Sequence, residues 1–334
     1  MKNEVNLEQW RELYDVTQRI KLLQPWEFLW DMDLIKLQLP EYKQPFFTSV
    51  MGRNGECFAV AVMEGEDALN DFHQLAERRD IPSSQLIRYQ NNMTCYFGDR
   101  EELTKSERDT IKKLGLKFRG KNQWIYFRSY ERGYVPFILD EAQVVKLTRV
   151  FQEFFMALKG FIENQISVDF ENNQTLYRRF DSKCGLWLTT AASLNIPQKK
   201  YRIPVMDDEI LISRLKKQKL SKSVLEIDTL FLNASIQESK FVRPIMPVLF
   251  LVADHSTGLI IDQEILSPGD EDMSRILDSV TNYISFYGRP KKIVVRDQEM
   301  AHILSDLSKK LDIQTVIEGG LPAIDAMAKE FERL

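Results

Sequence analysis

The sequence has few residues of the kinds that build covalent or metal-bound frameworks. Its 334 residues include three cysteines and three histidines. Cys57, Cys95 and Cys184 are scattered, and none has CxxC spacing. This pattern indicates neither a disulfide framework nor a zinc site. No apolar run reaches the length of about 20 residues that a membrane-spanning helix needs, and no secretory apolar region follows Met1. We therefore expect a cytoplasmic location and no membrane partner.

Several catalytic signatures are also missing. The sequence contains no P-loop, no GxGxxG motif and no nucleophile elbow for a Ser-His-Asp triad. These absences argue against NTPases, dinucleotide enzymes and acyl hydrolases. The formal net charge is −4. The chain as a whole therefore lacks the excess of basic residues typical of nucleic-acid-binding proteins, although a local basic patch remains an alternative. The composition is that of an ordinary globular protein, with length for two domains.

Short strands and helices follow one another in residues 1–135. Asn54-Gly55 lies between two strand-like runs and predicts a β-hairpin. Thr104 and Glu107 form a capping box, which predicts the start of a helix. A further strand is expected at 123–130. This mixture predicts an α+β domain over 1–135.

A long helix is predicted from Asp140 onwards. Its apolar positions form a stripe wide enough to pack on two neighbours. We interpret this helix as a connector, so that residues 136–223 comprise a connector helix and a linking segment. The positions of the stripe are Val144, Leu147, Val150, Phe151, Phe154, Phe155, Leu158 and Phe161.

The pattern is most regular in residues 224–334. Three strands should form antiparallel neighbours, and two later strands are each preceded by a helix. Strands joined through helical crossovers run parallel to one another. The sequence thus predicts an α/β domain with a mixed sheet in the order βββαβαβα. The predicted strands are 224–232, 247–253, 259–266, 291–296 and 312–317.

This order places Asp228 midway along the first strand and Asp297 at the end of the fourth. Two further segments add to this order: LVADHSTGLIIDQEIL, in which an acid and a serine precede a strand that folds back as a hairpin, and GRPKKIVVRDQ, which leads into Asp297. Together they resemble the ribonuclease H-like fold, and most of all the catalytic cores of integrases and transposases. In the N-terminal half, PWEFLW, VMGRNGECFAVAV, LGLKFRGKNQW and GYVPF resemble a bacterial domain of unknown function. That second resemblance implies a bacterial origin and no particular activity.

The first resemblance implies a carboxylate site. Enzymes of this superfamily cleave polynucleotides with two metal ions, and hard cations such as Mg²⁺ or Mn²⁺ prefer oxygen ligands. Asp228 and Asp297 match the first two metal-binding positions. The third acid should lie on the last helix, where Glu332, Glu330 and Asp325 are the candidates.

Two further stretches are candidates for nucleic-acid binding. On the predicted strand 123–130, Trp124, Tyr126 and Arg128 share one face, where they could stack bases and hold phosphates. Lys216 and Lys217 belong to a basic run that could contact phosphates. The structural alternatives are a core strand with a polar rim and a solvated helix face.

Two functional hypotheses follow. The first is a non-catalytic ribonuclease H-like module that binds a protein or a nucleic acid. The alternative is a metal-dependent nuclease or strand-transferase-like enzyme that uses Asp228, Asp297 and a glutamate of the last helix. The acidic net charge and the Gln298-Glu299 pair after Asp297 favour binding, whereas the acid within a strand favours the enzyme. Pairing of Asp228 with an arginine or lysine would indicate a structural role.

Overall fold

The computed structural model describes residues 6–77, 83–237, 239, 241–266 and 272–331. In these residues the helices are α1 (Leu7–Leu22), α2 (Gly65–Glu77), α3 (Ser83–Leu86), α4 (Lys105–Lys113), α5 (Glu141–Ile162), α6 (Glu209–Lys216), α7 (Asp272–Tyr287), α8 (Gln298–Lys310) and α9 (Pro322–Phe331). The strands are β1 (Ile35–Gln38), β2 (Phe46–Met51), β3 (Ala59–Glu64), β4 (Asn92–Gly98), β5 (Trp124–Tyr130), β6 (Gln174–Asp181), β7 (Leu186–Ser193), β8 (Val224–Phe231), β9 (Val248–Asp254), β10 (Ile260–Leu266), β11 (Lys292–Val295) and β12 (Gln314–Ile317). None of these helices has both the length and the apolar composition needed to cross a membrane, and the expected cytoplasmic location stays a prediction.

The chain divides into two compact units. The first comprises Met1–Gln74, Gln90–Glu131 and Pro136–Gln198, and the second comprises Leu75–Tyr89, Arg132–Val135 and Lys199–Leu334. This division by compactness differs from the predicted domains 1–135, 136–223 and 224–334.

The first unit is built on a seven-stranded sheet in the order β5-β4-β3-β2-β1-β6-β7. All neighbours are antiparallel except β1 and β6, which run parallel. The predicted hairpin is confirmed, because β2 and β3 pair around the turn containing Asn54-Gly55. Gly55 closes this turn with φ +81°, a conformation that glycine adopts without steric cost.

Helix α5 belongs to the core of this first unit. Asp140 caps its start, since Asp140 Oδ1 accepts the Gln143 backbone N–H at 2.8 Å. Leu147, Phe151 and Phe154 of the apolar stripe are fully buried within the unit's largest apolar cluster, and Phe155 and Phe161 pack against it partly buried. The stripe packs against α1 and the sheet, which explains its width. The helix predicted as a connector therefore lies inside a compact unit.

The second unit has a five-stranded mixed sheet in the order β10-β9-β8-β11-β12. Strands β8, β9 and β10 are antiparallel neighbours, whereas β8, β11 and β12 run parallel. The central strand β8 is buried on both faces. One face, with Leu225 and Ile227, packs on an apolar cluster that includes residues of α7 and α8. The other face packs against α9 through Leu230 and Ile324.

Candidate functional site

Asp228 lies in the middle of the central strand of the second unit. On one side it pairs with Leu251 of β9. On the other side, the preceding residue of β8, Ile227, pairs with Val295, the last residue of β11. The side chain is fully buried, with 0% exposure. A buried carboxylate without partners is very costly, so its neighbours decide what this residue can do.

Two arginines hold the Asp228 carboxylate. Arg296 Nε donates to Asp228 Oδ2 at 2.6 Å, and Arg88 Nη2 donates to Asp228 Oδ1 at 3.5 Å. Gln85 Nε2 lies 3.1 Å from Oδ2, and the Thr229 backbone N–H donates to Oδ1 at 2.8 Å. These four donors fill the roughly four lone-pair positions of a carboxylate. Asp228 is therefore a saturated acceptor.

Asp297 follows β11 and caps the next helix. Its Oδ1 accepts the Met300 backbone N–H at 2.9 Å, at the start of α8. Its other oxygen, Oδ2, forms an ion pair with Arg88 Nη1. Because Arg88 also contacts Asp228, one guanidinium bridges the two carboxylates that the sequence suggested as metal ligands.

The bridging arginine comes from a short 3₁₀ turn, Ile87–Tyr89, directly after α3. The Arg88 side chain is buried, and its Nη2 also donates to the Thr229 carbonyl at 2.9 Å. Gln85 donates to the same carbonyl at 2.6 Å. The segment thus packs two donors against the carboxyl-terminal part of β8.

Burial and charge have opposing effects on these groups. Burial raises the pKa of Asp228 above its ordinary value, although Arg88 and Arg296 oppose the rise. Burial also favours a higher pKa for Asp297, but Arg88 and the Met300 N–H outweigh it and leave that pKa below the ordinary value. Burial alone would lower the pKa of Arg88, but the two carboxylates raise it. Arg88 therefore remains a cation.

The three candidates for a third acid differ in position. Asp325 of α9 accepts from Arg296 Nη2 at 2.5 Å. Glu330 is exposed near the end of α9, and Glu332 lies outside the described residues. Arg296 also donates from Nη1 to the Gly319 carbonyl at 2.7 Å, so its whole guanidinium is engaged. Within the described residues, no group of three or more His, Cys, Asp or Glu is arranged to hold a metal ion.

A second buried acid, Glu226, lies two residues before Asp228 on the same strand. Its Oε2 accepts the backbone N–H groups of Ala323 at 2.9 Å and Ile324 at 3.1 Å, at the start of α9. Its Oε1 lies 2.6 Å from His255 Nδ1. An anion at a helix N-terminus is favourable, so Glu226 fixes α9 to the sheet.

The candidates for nucleic-acid binding lie in different compact units. Tyr126 of β5 stacks on Tyr96, with ring centroids 5.0 Å apart. Arg128 lies over the Tyr126 ring and pairs with Glu107. Trp124 contacts Phe118 at 6.0 Å between centroids. These contacts give the β5 side chains partners within the first unit.

The two lysine candidates lie at the end of α6 in the second unit. Both are exposed, and Lys216 Nζ lies 3.3 Å from Asp312 Oδ2. Lys217 is the C-terminal capping residue of the helix. The nucleic-acid-binding role suggested for the five residues stays a prediction.

Sequence reasoning missed the residues that neutralise the acids. Arg296 directly precedes Asp297 and follows a buried strand. Its position in the sequence could therefore have indicated that it lies near the two acids. Arg88 and Gln85 gave no such signal, because they are 140 and 143 residues away from Asp228 in the sequence.

Two family models match parts of the sequence. Residues 10–178, just over half of the chain, match the family model described as "Domain of unknown function (DUF7309)". The chain belongs to this family. Residues 211–332 match a second model, described as "Domain of unknown function (DUF6930)". No curated protein matches the sequence.

Solved structures of retroviral integrases show weak similarity. The HTLV-2 integrase catalytic core domain in complex with magnesium, in its dimeric form, is 12% identical with a TM-score of 0.24, covering 34% of this chain and 70% of that chain. A chain of the simian T-cell lymphotropic virus intasome in complex with PP2A regulatory subunit B56 gamma is 12% identical with a TM-score of 0.25. That match covers 41% of this chain and 43% of the other.

Proposed function

We propose that the second unit is a ribonuclease H-like module that has lost catalysis and acts by binding. The topology supports this proposal. Three antiparallel strands are followed by two parallel strands reached through helices, with β8 at the centre of the sheet. Asp228, in the middle of the central strand, and Asp297, after β11, are the two acids for which the sequence resemblance implies metal-binding positions.

One observation carries the loss of catalysis: Arg88 and Arg296 hold the carboxylates of Asp228 and Asp297. Two-metal catalysis needs carboxylate oxygens that are free to coordinate cations. Here the guanidinium groups supply the positive charge that metal ions would supply. A cation would have to displace a buried arginine, which would then remain as an uncompensated charge.

The alternative function, a metal-dependent nuclease or strand-transferase, rests on the same acids with Glu330 or Glu332 as third ligand. The acid within β8 favours it. Opposing it, Asp325 is engaged by Arg296, and Glu330 is exposed.

A surface of the second unit suggests what the module binds. Residues 214–222 carry five exposed cations, and Phe286 and Tyr287 at the end of α7 are 81% and 68% exposed. Backbone hydrogen bonds join residues 214–222 to Arg289, two residues after the end of α7, including one from the Arg289 N–H to the Lys219 carbonyl at 2.9 Å. Exposed aromatic rings beside cations suit single-stranded nucleic acid, because rings stack on bases and cations neutralise phosphates. The cations are Arg214, Lys216, Lys217, Lys219 and Lys222.

Catalysis is tested by incubating the full chain with Mg²⁺ or Mn²⁺ and labelled RNA, DNA or hybrid substrates. The proposal predicts no cleavage above that of an Asp228→Asn variant. Metal-dependent cleavage that this substitution abolishes would establish the enzyme instead.

Binding is tested by fluorescence anisotropy with a labelled oligothymidine. We expect the Phe286→Ala/Tyr287→Ala double variant to bind at least about tenfold more weakly, since stacking contributes about 1–3 kcal/mol per base. The Lys219→Gln/Lys222→Gln double variant should reduce the salt dependence, by about 0.7 in slope for each phosphate that the protein no longer neutralises. Lys309→Gln, which removes an exposed cation of α8, is the matched control. If both double variants bind like the wild type and the Lys309→Gln control, this surface is not the nucleic-acid site, and a protein partner becomes the remaining proposal.

A further inference from the structure

A cavity of about 640 Å³ lies within the second unit, next to the arginine-bridged acids. It is bordered by α7, α8, the end of β8, and the segment 202–206. Its volume is within the range of about 300–1,000 Å³ that is typical of small-molecule sites. Arg88 and Thr229 form the part of its wall nearest the acids. In sheets with parallel strands, ligands commonly bind beyond the carboxyl ends of those strands, where this cavity lies.

Much of the cavity wall is apolar. Buried aliphatic side chains of α7 and α8 line it together with three methionines, whose flexible thioethers adapt to ligands of different shape. This wall would remove the apolar body of a ligand from water. The residues that form it are Met206, Met273, Ile276, Leu277, Met300 and Ile303.

Three arginines reach the same cavity, and they differ in their partners. Arg88 pairs with Asp297, and Arg132 Nη1 lies 2.7 Å from both carboxylate oxygens of Glu299. Arg202 is exposed and has no carboxylate partner among the residues that the structure describes. Its planar guanidinium is therefore available to donate two parallel hydrogen bonds to a carboxylate, sulfonate or phosphate.

The residues on both sides of Arg202 contact α8. The ring of Tyr201 lies against His302 of α8, with centroids 5.1 Å apart. On the other side, the Met206 N–H donates to Asp306 Oδ2 at 2.9 Å, and Lys310 Nζ donates to the Met206 carbonyl at 3.0 Å. These contacts hold the segment 202–206 along α8 and keep its arginine at the cavity.

The N-termini of two helices add positive electrostatic potential to the cavity, which favours an anion. The first turns of α7 and α8 contribute Met273, Ser274, Glu299 and Met300 to the wall, and the N-terminus of a helix carries partial positive charge. Of the two acids in the wall, Glu299 is paired with Arg132. The other, Asp278, also borders a neighbouring groove along α7 with Arg275.

We propose that this cavity binds a small organic anion, with its apolar body against the α7 and α8 wall and its anionic group on Arg202. The proposal goes beyond the binding of a macromolecule and does not depend on it. It requires neither a metal ion nor the basic surface at 214–222.

The test uses two fluorescent probes with the full chain. Anilinonaphthalene sulfonate combines an aromatic body with an anionic group, and N-phenylnaphthylamine has a similar body without charge. We expect the wild type to bind the sulfonate saturably at one site. Arg202→Gln should weaken that binding by about tenfold, as expected for loss of a charged hydrogen bond, with Arg202→Lys in between.

Two controls make the outcome specific. Lys309→Gln removes an exposed cation that does not line the cavity, and it should leave sulfonate binding unchanged. The neutral probe should bind wild type and Arg202→Gln within about twofold, because a neutral ligand does not need the guanidinium. Equal sulfonate affinity in wild type and Arg202→Gln, or no saturable sulfonate binding by the wild type, would overturn the proposal.

Discussion

Substitution of Arg296 by glutamine tests how the buried acid of the second unit is stabilised. In the wild type, Arg296 contacts the Asp228 carboxylate, the Asp325 carboxylate and the Gly319 carbonyl. Glutamine is shorter and neutral, so Arg296→Gln leaves Asp228 with a less compensated buried charge. The other donors to Asp228, including Arg88, remain.

The expected cost can be estimated from the burial of both partners. The side chains of Arg296 and Asp228 are 3% and 0% exposed. Removal of one partner of a buried ion pair costs about 3–5 kcal/mol. For a unit of this size each kcal/mol lowers the melting temperature by about 2–4 °C, so we expect a decrease of roughly 10 °C. The control is Arg275→Gln, which removes an exposed arginine paired with Glu264 and should cost less than about 1 kcal/mol.

The distribution of tryptophan allows the affected unit to be identified. All five tryptophans belong to the first unit, so their fluorescence follows that unit, whereas far-ultraviolet circular dichroism follows both. We expect Arg296→Gln to lower the melting temperature of the second unit, which is detected by circular dichroism and not by tryptophan fluorescence. If Arg296→Gln melts within about 2 °C of Arg275→Gln, the guanidinium does not stabilise the buried carboxylate and the reasoning fails.

Three further predictions concern single side chains. The pKa of Asp297 is lowered in the folded state, so its contribution to stability is present above about pH 4 and is lost as the pH falls through the lower folded value. The stability difference between wild type and Asp297→Asn in thermal melts should therefore shrink below about pH 4, and a constant difference down to about pH 2 would contradict this. Glu226→Ala leaves two N–H groups of α9 without their acceptor and should cost about 2 kcal/mol or more in urea denaturation, whereas a loss below about 0.5 kcal/mol would contradict the capping role. Phe151→Ala empties a fully buried position of α5 and should lower the tryptophan-detected transition by about 3–5 kcal/mol, which an unchanged transition would refute.

The sequence predicted the fold best where the local pattern of apolar residues matches the burial found in the structure. The strands at 224–231 and 248–254 could be predicted because each is a short, nearly continuous apolar run between turn residues. The acid at Asp228 was conspicuous because it interrupts such a run. Its position in a strand was thus predictable, although its partners were not.

The remaining features depend on contacts between distant segments. β6 was missed because polar residues occupy much of it, and it pairs with β1 from more than 130 residues away. Arg88 reaches Asp228 from 140 residues away, and nothing in its neighbourhood marks it as buried. Helix α5 was recognised by its periodicity, but a periodic stripe does not say which elements it packs on.

Metal binding by the wild type is the most direct test of the central proposal, that arginines have taken the place of metal ions at Asp228 and Asp297. Titration calorimetry with Mn²⁺, and with Mg²⁺, would be performed on the full chain and on Asp228→Asn. The account predicts no saturable binding to the wild type at concentrations up to the millimolar range, which is about the weakest range of protein sites for hard divalent cations. Saturable binding that Asp228→Asn abolishes would show that the acids remain available to metal, and it would contradict the account.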